Sequence, residues 1–217
     1  MDNQAQNFSK TIGFNNYSSH LSVFETIFNS FRINNVLEFG LGEYSTPFFA
    51  SRSQFVVSIE QESKDWFNKT REKINSPNWH PVFQQDPSVI FKYFDAQQIK
   101  FDLVFSDGLA PTRCLVANMA LERNVPIVVL HDAEKIWYYR WNLLNIPNNY
   151  CRFDFRCQSG IKKVTSILLN QTPEIIEKSV IPGHDRIILA YSSPTQPIIQ
   201  IPVRNSTLIP SEISFLG

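Results

Sequence analysis

NNVLEFGLGEYSTPFF, Asn34 to Phe49, joins a short apolar run to a loop with two glycines and then to a segment able to begin a helix. Val36, Leu37 and Phe39 suit a buried strand. Gly40 and Gly42 let the backbone turn sharply and approach a ligand with no side chain between them. Ser45 and Thr46 suit a helix start and Pro47 its first turn, so unpaired N–H groups and the positive end of the helix dipole face the loop. A purely structural tight turn accounts for the same residue types. Glu38 favours the ligand reading. A carboxylate just before the loop repels a pyrophosphate but attracts an ammonium or accepts hydrogen bonds from hydroxyls, so the expected ligand is cationic or hydroxyl-rich there.

The same rhythm extends on both sides of this stretch. Upstream, Leu21, Phe24, Ile27, Phe28 and Phe31 lie at helical spacing, with Ser18 or Ser19 placed to cap. Downstream, the apolar runs FVVSIE, HPVFQQ, FDLVFSD and PIVVLHD alternate with helical segments from Ser45, at SKDWFNKTREKI, around Ser88 to Phe94 and at TRCLVANMALER. A further Trp- and Tyr-rich helix is expected from Ala133. Strands that are almost continuously apolar are buried on both faces, which requires helices on both sides of a parallel sheet. The pattern predicts an α/β fold, doubly wound and Rossmann-like. CRFDFRC and KKVTSILLN, joined by QSGI, then read as an antiparallel hairpin. The division expected is a leading segment and helix over 1–34, a central domain over 35–170 and an irregular, proline-rich extension over 171–217, packed on the domain or on a second copy.

Composition narrows the function. The 217 residues carry 20 basic and 20 acidic side chains and are 43% hydrophobic, so neither disorder nor a polyanionic partner is favoured. No basic cluster suggests nucleic acid. No stretch reaches the roughly 20 apolar residues of a membrane span, and the first residues lack a signal pattern. A cytoplasmic protein is expected. Cys114, Cys151 and Cys157 have no CxxC spacing and read as reduced thiols, and the four histidines are scattered singly, which gives no support to a zinc site.

With LEFGLGEYST, VVSIEQ, FQQDP, FDLVFSDG and VPIVVLHDAE in order, the chain resembles the class I S-adenosylmethionine-dependent methyltransferases over about residues 34–170. LEFGLGEYSTPFFA, FSDGLAPTRC and VVLHD look most like the small-molecule enzymes of natural-product and sugar pathways. The resemblance implies a mostly parallel sheet ending in an antiparallel hairpin, with S-adenosylmethionine as cofactor. It places Glu38 near the methionine end, Gly40, Gly42 and Ser45 at the close-approach loop, Glu60 on both ribose hydroxyls and Gln61 beside the adenine. Asp86 is then expected on the adenine amino group and Asp107 at the sulfonium. The third glycine of the first motif is missing, with Tyr44 in its neighbourhood. Independently of the family, Glu60 stands at the distance past the loop where an acid grips ribose hydroxyls in dinucleotide folds.

Methyl transfer needs the acceptor aligned and its proton removed. His131 and Asp132 end the fifth strand and Asp107 the fourth, so His131 is the candidate general base; a loop-capping role explains it equally well. Asp107 and Asp132 also resemble the aspartates that hold Mg²⁺ in catechol-type O-methyltransferases. That metal reading is not favoured, because Ala133 replaces the usual Asn and only Glu134 stands nearby to compensate. Arg113 is a candidate for an acceptor carboxylate or phosphate, and Cys114 reads as core. Trp137, Tyr138, Tyr139 and Trp141 cannot all face one core, so they either line a cleft or bury a homodimer contact. The expectation is O-methylation of a small-molecule acceptor. The alternatives are an NAD(P)-dependent oxidoreductase and a non-catalytic protein with the same fold.

Overall fold

The computed structural model describes residues 18–158 and 163–187. Helix α1 (Leu21–Ser30) leads into β1 (Asn35–Phe39), followed by α2 (Ser45–Arg52), β2 (Phe55–Glu60), α3 (Lys64–Lys73) and β3 (Trp79–Phe83). Next come α4 (Pro87–Ala96), β4 (Leu103–Ser106), α5 (Arg113–Glu122), β5 (Ile127–Leu130), β6 (Cys151–Cys157), β7 (Val164–Leu169), α6 (Pro173–Glu177) and β8 (His184–Ile187). The strands form one eight-stranded sheet in the order β3-β2-β1-β4-β5-β7-β6-β8. β1 to β5 pair in parallel, whereas β7 runs antiparallel to β5 and to β6, and β8 antiparallel to β6. This is the Rossmann-like methyltransferase fold with an antiparallel end, as the sequence predicts.

The period-two pleat divides the strand residues between two cores. Leu37, Val57, Val104 and Val128 face α4 and α5, packing with Ile90, Phe94, Val116 and Leu121. Their neighbours Val36, Val56, Leu103 and Val129 face the other helices, packing with Phe24, Ile27, Phe49 and Phe67. Both layers are closed mainly by apolar side chains, and the charged groups around the cavity collect at the strand ends.

Two expectations need correction. The aromatic segment from Ala133 is not a helix: it makes turns and a 3-10 turn at Trp141–Leu143. Asp132 and Arg140 are left-handed, with φ of 55° and 59°, and Trp141 and Leu144 are buried in the core. Burying those side chains outweighs the helical spacing. The start of the extension is not irregular either, since His184–Ile187 adds β8 to the sheet. The hairpin turn at 159–162, the first 17 residues and the later prolines, from 194 onward, lie outside the described residues.

β1 turns at Gly40 with φ of +96°, a backbone region costly for any other residue. A Cβ there would lie 2.4 Å from the carbonyl oxygen of Asp107. The Gly40 N–H donates to the carbonyl of Ile59 at 2.9 Å, and the Asp107 N–H to that of Phe39 at 2.8 Å. β1, β2 and β4 are thus locked together at the point where strand order reverses.

Glu38 braces this turn from inside. It is fully buried, and its carboxylate accepts hydrogen bonds from the hydroxyls of Ser45, Thr46 (2.7 Å) and Ser58 (2.5 Å). Thr46 Oγ1 in turn accepts the Gly42 N–H at 3.0 Å, and Ser58 Oγ accepts from the Trp79 indole at 3.0 Å. Burial raises the Glu38 pKa from 4.5 to about 7, against the opposing pull of the three hydroxyls.

Gly40→Ala is expected to lower the unfolding free energy by at least about 2 kcal/mol, because both the left-handed backbone and the Asp107 carbonyl oppose it. Gly42→Ala meets only the Ser45 hydroxyl, a side-chain atom that can shift at the expense of its bond to Glu38, so urea denaturation should show a smaller loss. For Glu38 the folded pKa exceeds the unfolded one, so the native state holds the extra proton between the two values. Its contribution to stability is complete below about pH 4.5 and is lost as pH rises through about 7. The stability difference between wild type and Glu38→Gln should therefore fall by roughly 2 to 3 kcal/mol from pH 5 to pH 8; a pH-independent difference would show that Glu38 ionises normally.

Candidate functional site

The C-terminal ends of β1, β2, β4 and β5 open on one cavity of about 800 Å³. Its glycine wall is Gly40 to Gly42, held from below by the Trp66 indole, which donates to the Leu41 carbonyl at 2.7 Å. Ser63 caps α3 by accepting the Trp66 N–H at 3.1 Å, which fixes the helix that carries this indole. Ser45 also reaches the lining.

Glu60 is 8% exposed at the end of β2 and lines the cavity. Its Oε1 accepts the N–H groups of Glu62 (2.8 Å) and Ser63 (3.0 Å). No described residue hydrogen-bonds Oε2. One oxygen therefore shapes the loop and the other remains available to a ligand. Gln61 also lines the cavity, but its amide is spent on structure: Nε2 donates to the Gln85 carbonyl at 3.0 Å, and Oε1 accepts from Leu109 N–H (3.2 Å) and Thr112 Oγ1 (3.1 Å).

On the opposite wall Asp107 meets His131 and Arg113. Asp107 Oδ1 lies 3.0 Å from His131 Nδ1 and 2.8 Å from an Arg113 nitrogen. The far ring nitrogen of His131 is 3.1 Å from Ser19 Oγ. Burial alone would raise the Asp107 pKa, but the charges of His131 and Arg113 overcome it and hold the carboxyl well below its usual range. For His131 burial works downward, and the facing Asp107 carboxylate reverses it to a net rise. Arg113 is a clamp rather than an open anion site: Nε donates to the Gly108 carbonyl at 2.8 Å and the guanidinium lies 4.0 Å over the Tyr139 ring.

Asp132 belongs to the same wall but is closed off by cations. Lys163 donates to Oδ1, the Tyr139 hydroxyl donates to Oδ2 at 2.9 Å, and Arg113 and Lys135 each lie 3.7 Å from Oδ2. Burial opposes ionisation of Asp132, and the charge of His131 and the Lys163 bond turn its pKa downward. Glu134, expected to supplement an Asp107–Asp132 metal pair, turns away and accepts the Val164 N–H at 2.9 Å.

Two expected cofactor contacts fall elsewhere. Glu38 lies behind the glycine loop with its oxygens taken by hydroxyls, outside the lining. Asp86 is the N-cap of α4, accepting the Ser88 N–H at 2.8 Å, and is also outside it. The Glu38 carboxylate is consumed by nearby hydroxyls, and Asp86 spends one oxygen on its cap. The structure adds one residue that the scattered histidines concealed: His20, just before α1, lines the cavity, 4.8 Å ring to ring from His131. The packing of His20 and Phe24 on Phe105 of β4, together with the Ser19–His131 contact, brings the two together. Of the four aromatics, Tyr139 lines the cavity, Trp141 is core, and Trp137 and Tyr138 are exposed. Among the described residues no helix is long and apolar enough to cross a membrane, and the three cysteines form no disulfide.

No protein-family model matches the chain, and no curated protein matches it. Solved structures do. An O-methyltransferase from Bacillus cereus in complex with SAH shares 16% identity at a TM-score of 0.58, over 76% of this chain and 85% of that one. The O-methyltransferase TomG from Streptomyces achromogenes, involved in tomaymycin synthesis and crystallised with SAM, shares 15% identity at a TM-score of 0.56, over 76% and 94%. Cofactor-bound Rv0187 from MTB gives 14% and 0.55, over 75% and 84%. At such identities the likeness concerns architecture, and it is the architecture of these O-methyltransferases that this chain adopts.

Proposed function

We propose that the protein is an S-adenosylmethionine-dependent methyltransferase acting on the hydroxyl of a small molecule. The observation that carries this reading is the pairing, across one cavity at the sheet's switch point, of the available Glu60 oxygen with the Asp107–His131 pair. The residues present fit the cofactor. Gly40 and Gly42 present bare backbone, and Glu60 offers an acceptor suited to ribose hydroxyls. Asp107 offers a negative charge to a sulfonium. Gln61 and Ser45 line the same cavity and shape its wall through their own hydrogen bonds, while Glu38 and Asp86 are left out because they lie outside the lining. The O-methyltransferases of the same fold, crystallised with SAH and SAM, support the assignment.

S-adenosylmethionine, when bound, supplies an electrophilic methyl group. The task of the chain is to orient the acceptor oxygen and to hold its proton. Asp107 Oδ2, which no described residue hydrogen-bonds, is the atom proposed to accept the acceptor's O–H, and His131 shares the proton through Oδ1. Asp132 acts through its neighbours: it holds Tyr139 and Lys163 at the cavity edge and adds negative charge beside His131. A nicotinamide cofactor is less well served, since Tyr44 and Ser45 stand where the last glycine of its loop would fall and the sheet ends antiparallel. A non-catalytic protein with a cleft filled by Tyr44 is not favoured, because Tyr44 is part of the lining of an open cavity. A tail lying across the strand ends falls outside the described residues.

Calorimetry with SAH, SAM and NAD tests the cofactor. Glu60→Gln keeps an acceptor for the Glu62 and Ser63 amides but turns the cavity-facing atom into a donor. It should weaken SAH binding about 10- to 100-fold, the loss expected for charge-assisted hydrogen bonds; binding of NAD alone would overturn the reading. With an acceptor in hand, the rate should fall on the acid side as His131 takes up its proton, at a pH above 6.5 because its pKa is raised. His131→Gln should cost about 10² to 10⁴ in kcat and abolish that acidic limb, with SAH affinity retained.

A further inference from the structure

We propose that His20, Asp107 and His131 form a three-ligand site for a divalent transition metal of the zinc class, open to the cavity. One potential ligand atom from each residue lies within 4.8 Å of the others. Around a tetrahedral zinc with bonds of 2.0 to 2.1 Å, ligand atoms stand about 3.3 Å apart, so small side-chain rotations close the set. Two imidazoles and one carboxylate suit Zn²⁺, Co²⁺ or Fe²⁺, whereas Mg²⁺ prefers oxygen. Three protein ligands with the fourth position facing a cavity is the arrangement of a catalytic rather than a structural zinc.

His20 carries the argument. It is 2% exposed, and neither ring nitrogen has a hydrogen-bond partner among the described residues. The ring does not cap α1; it packs on Phe24 and Phe105 and turns its edge to His131. Phenylalanine would pack as well without burying two unpaired polar atoms. The segment is held in place by His184, whose Nε2–H donates to the Ser19 carbonyl at 2.7 Å. The other two ligands have the support a metal site needs. When His131 Nδ1 turns to the metal, Nε2–H donates to Ser19 Oγ, which fixes the tautomer. Asp107 keeps Arg113 on Oδ1 and has Oδ2 for the cation. Asp132 is excluded because Lys163 and Tyr139 occupy its oxygens.

Metal binding itself does not depend on the proposed methyl transfer. Its consequence does: resting on that reading, an acceptor hydroxyl in the open position is acidified by the cation, which takes over the role of the Asp107–His131 pair. The test is titration of chelator-treated full-length protein with Co²⁺, followed by absorption, and with Zn²⁺ and Mg²⁺ by calorimetry. One equivalent of Co²⁺ should bind with a tetrahedral-type spectrum, Zn²⁺ should displace it, and Mg²⁺ should not. His20→Phe, which preserves the ring packing, should weaken Zn²⁺ binding at least 100-fold. X-ray absorption of the zinc-loaded wild type should count two imidazole ligands, so the site is judged even if the variant misfolds. Absence of stoichiometric Co²⁺ or Zn²⁺ binding, unchanged affinity in a folded His20→Phe, or a first shell without imidazole would overturn the proposal. A parallel SAH titration separates the two readings: SAH binding without metal binding removes only the metal site, and metal binding without SAH binding removes only the methyltransferase.

Discussion

The backbone of β1 passes that of β4 at Gly40 so closely that a methyl group on Gly40 would lie 2.4 Å from the Asp107 carbonyl oxygen. The remainder of the site depends on that approach. Hydrogen bonds from Gly40 to Ile59 and from Asp107 to Phe39 fasten three strand ends in one plane, and the turns leaving them separate in opposite directions because the strand order reverses there. Glu60 and Asp107 are thereby set on facing walls. A side chain at position 40 would push the walls apart and spoil both.

A second constraint is the closure of both faces of the sheet by apolar side chains. The charged groups of the cavity gather at the strand ends, where a low-dielectric surround strengthens each charge interaction. Asp107, His131, Arg113, Asp132 and Lys163 form a nearly balanced set in which most groups have defined partners. His20 is the exception, an imidazole buried without a hydrogen bond among them. Satisfied networks of this kind hold fixed geometry, whereas an unsatisfied member marks the place where something else can bind.

Much of the fold was legible because it rests on local periodicity. Apolar runs of strand length separated by amphipathic helices have few solutions, and the sheet with its antiparallel end is the one adopted. Periodicity misled at the aromatic segment after Ala133. There, left-handed turns at Asp132 and Arg140 put Tyr139 over the cavity and Trp141 into the core, and long-range burial overrode spacing. At the site, the sequence placed Glu60, Gln61, Asp107, His131 and Asp132 at strand ends, Gly40 and Gly42 in the loop after the first strand and Ser45 at the helix start beyond it, and all of them line the cavity. Glu38 and Asp86 also follow or end strands, but Ser45, Thr46 and Ser58 absorb the first and the start of α4 absorbs the second.

By itself the sequence determined which segments form the five parallel strands and the hairpin after them, which helices separate the first five, and that a glycine turn lies beside acidic strand ends. Those properties follow from side-chain type at fixed spacing along one chain. Tertiary structure decided which acid keeps an oxygen for a ligand and which is consumed by hydroxyls or cations. It also decided that His20, from before the first helix, meets Asp107 and His131. Such choices depend on donors brought in from distant segments, and the proximity of those donors is created only when the sheet and its helices pack.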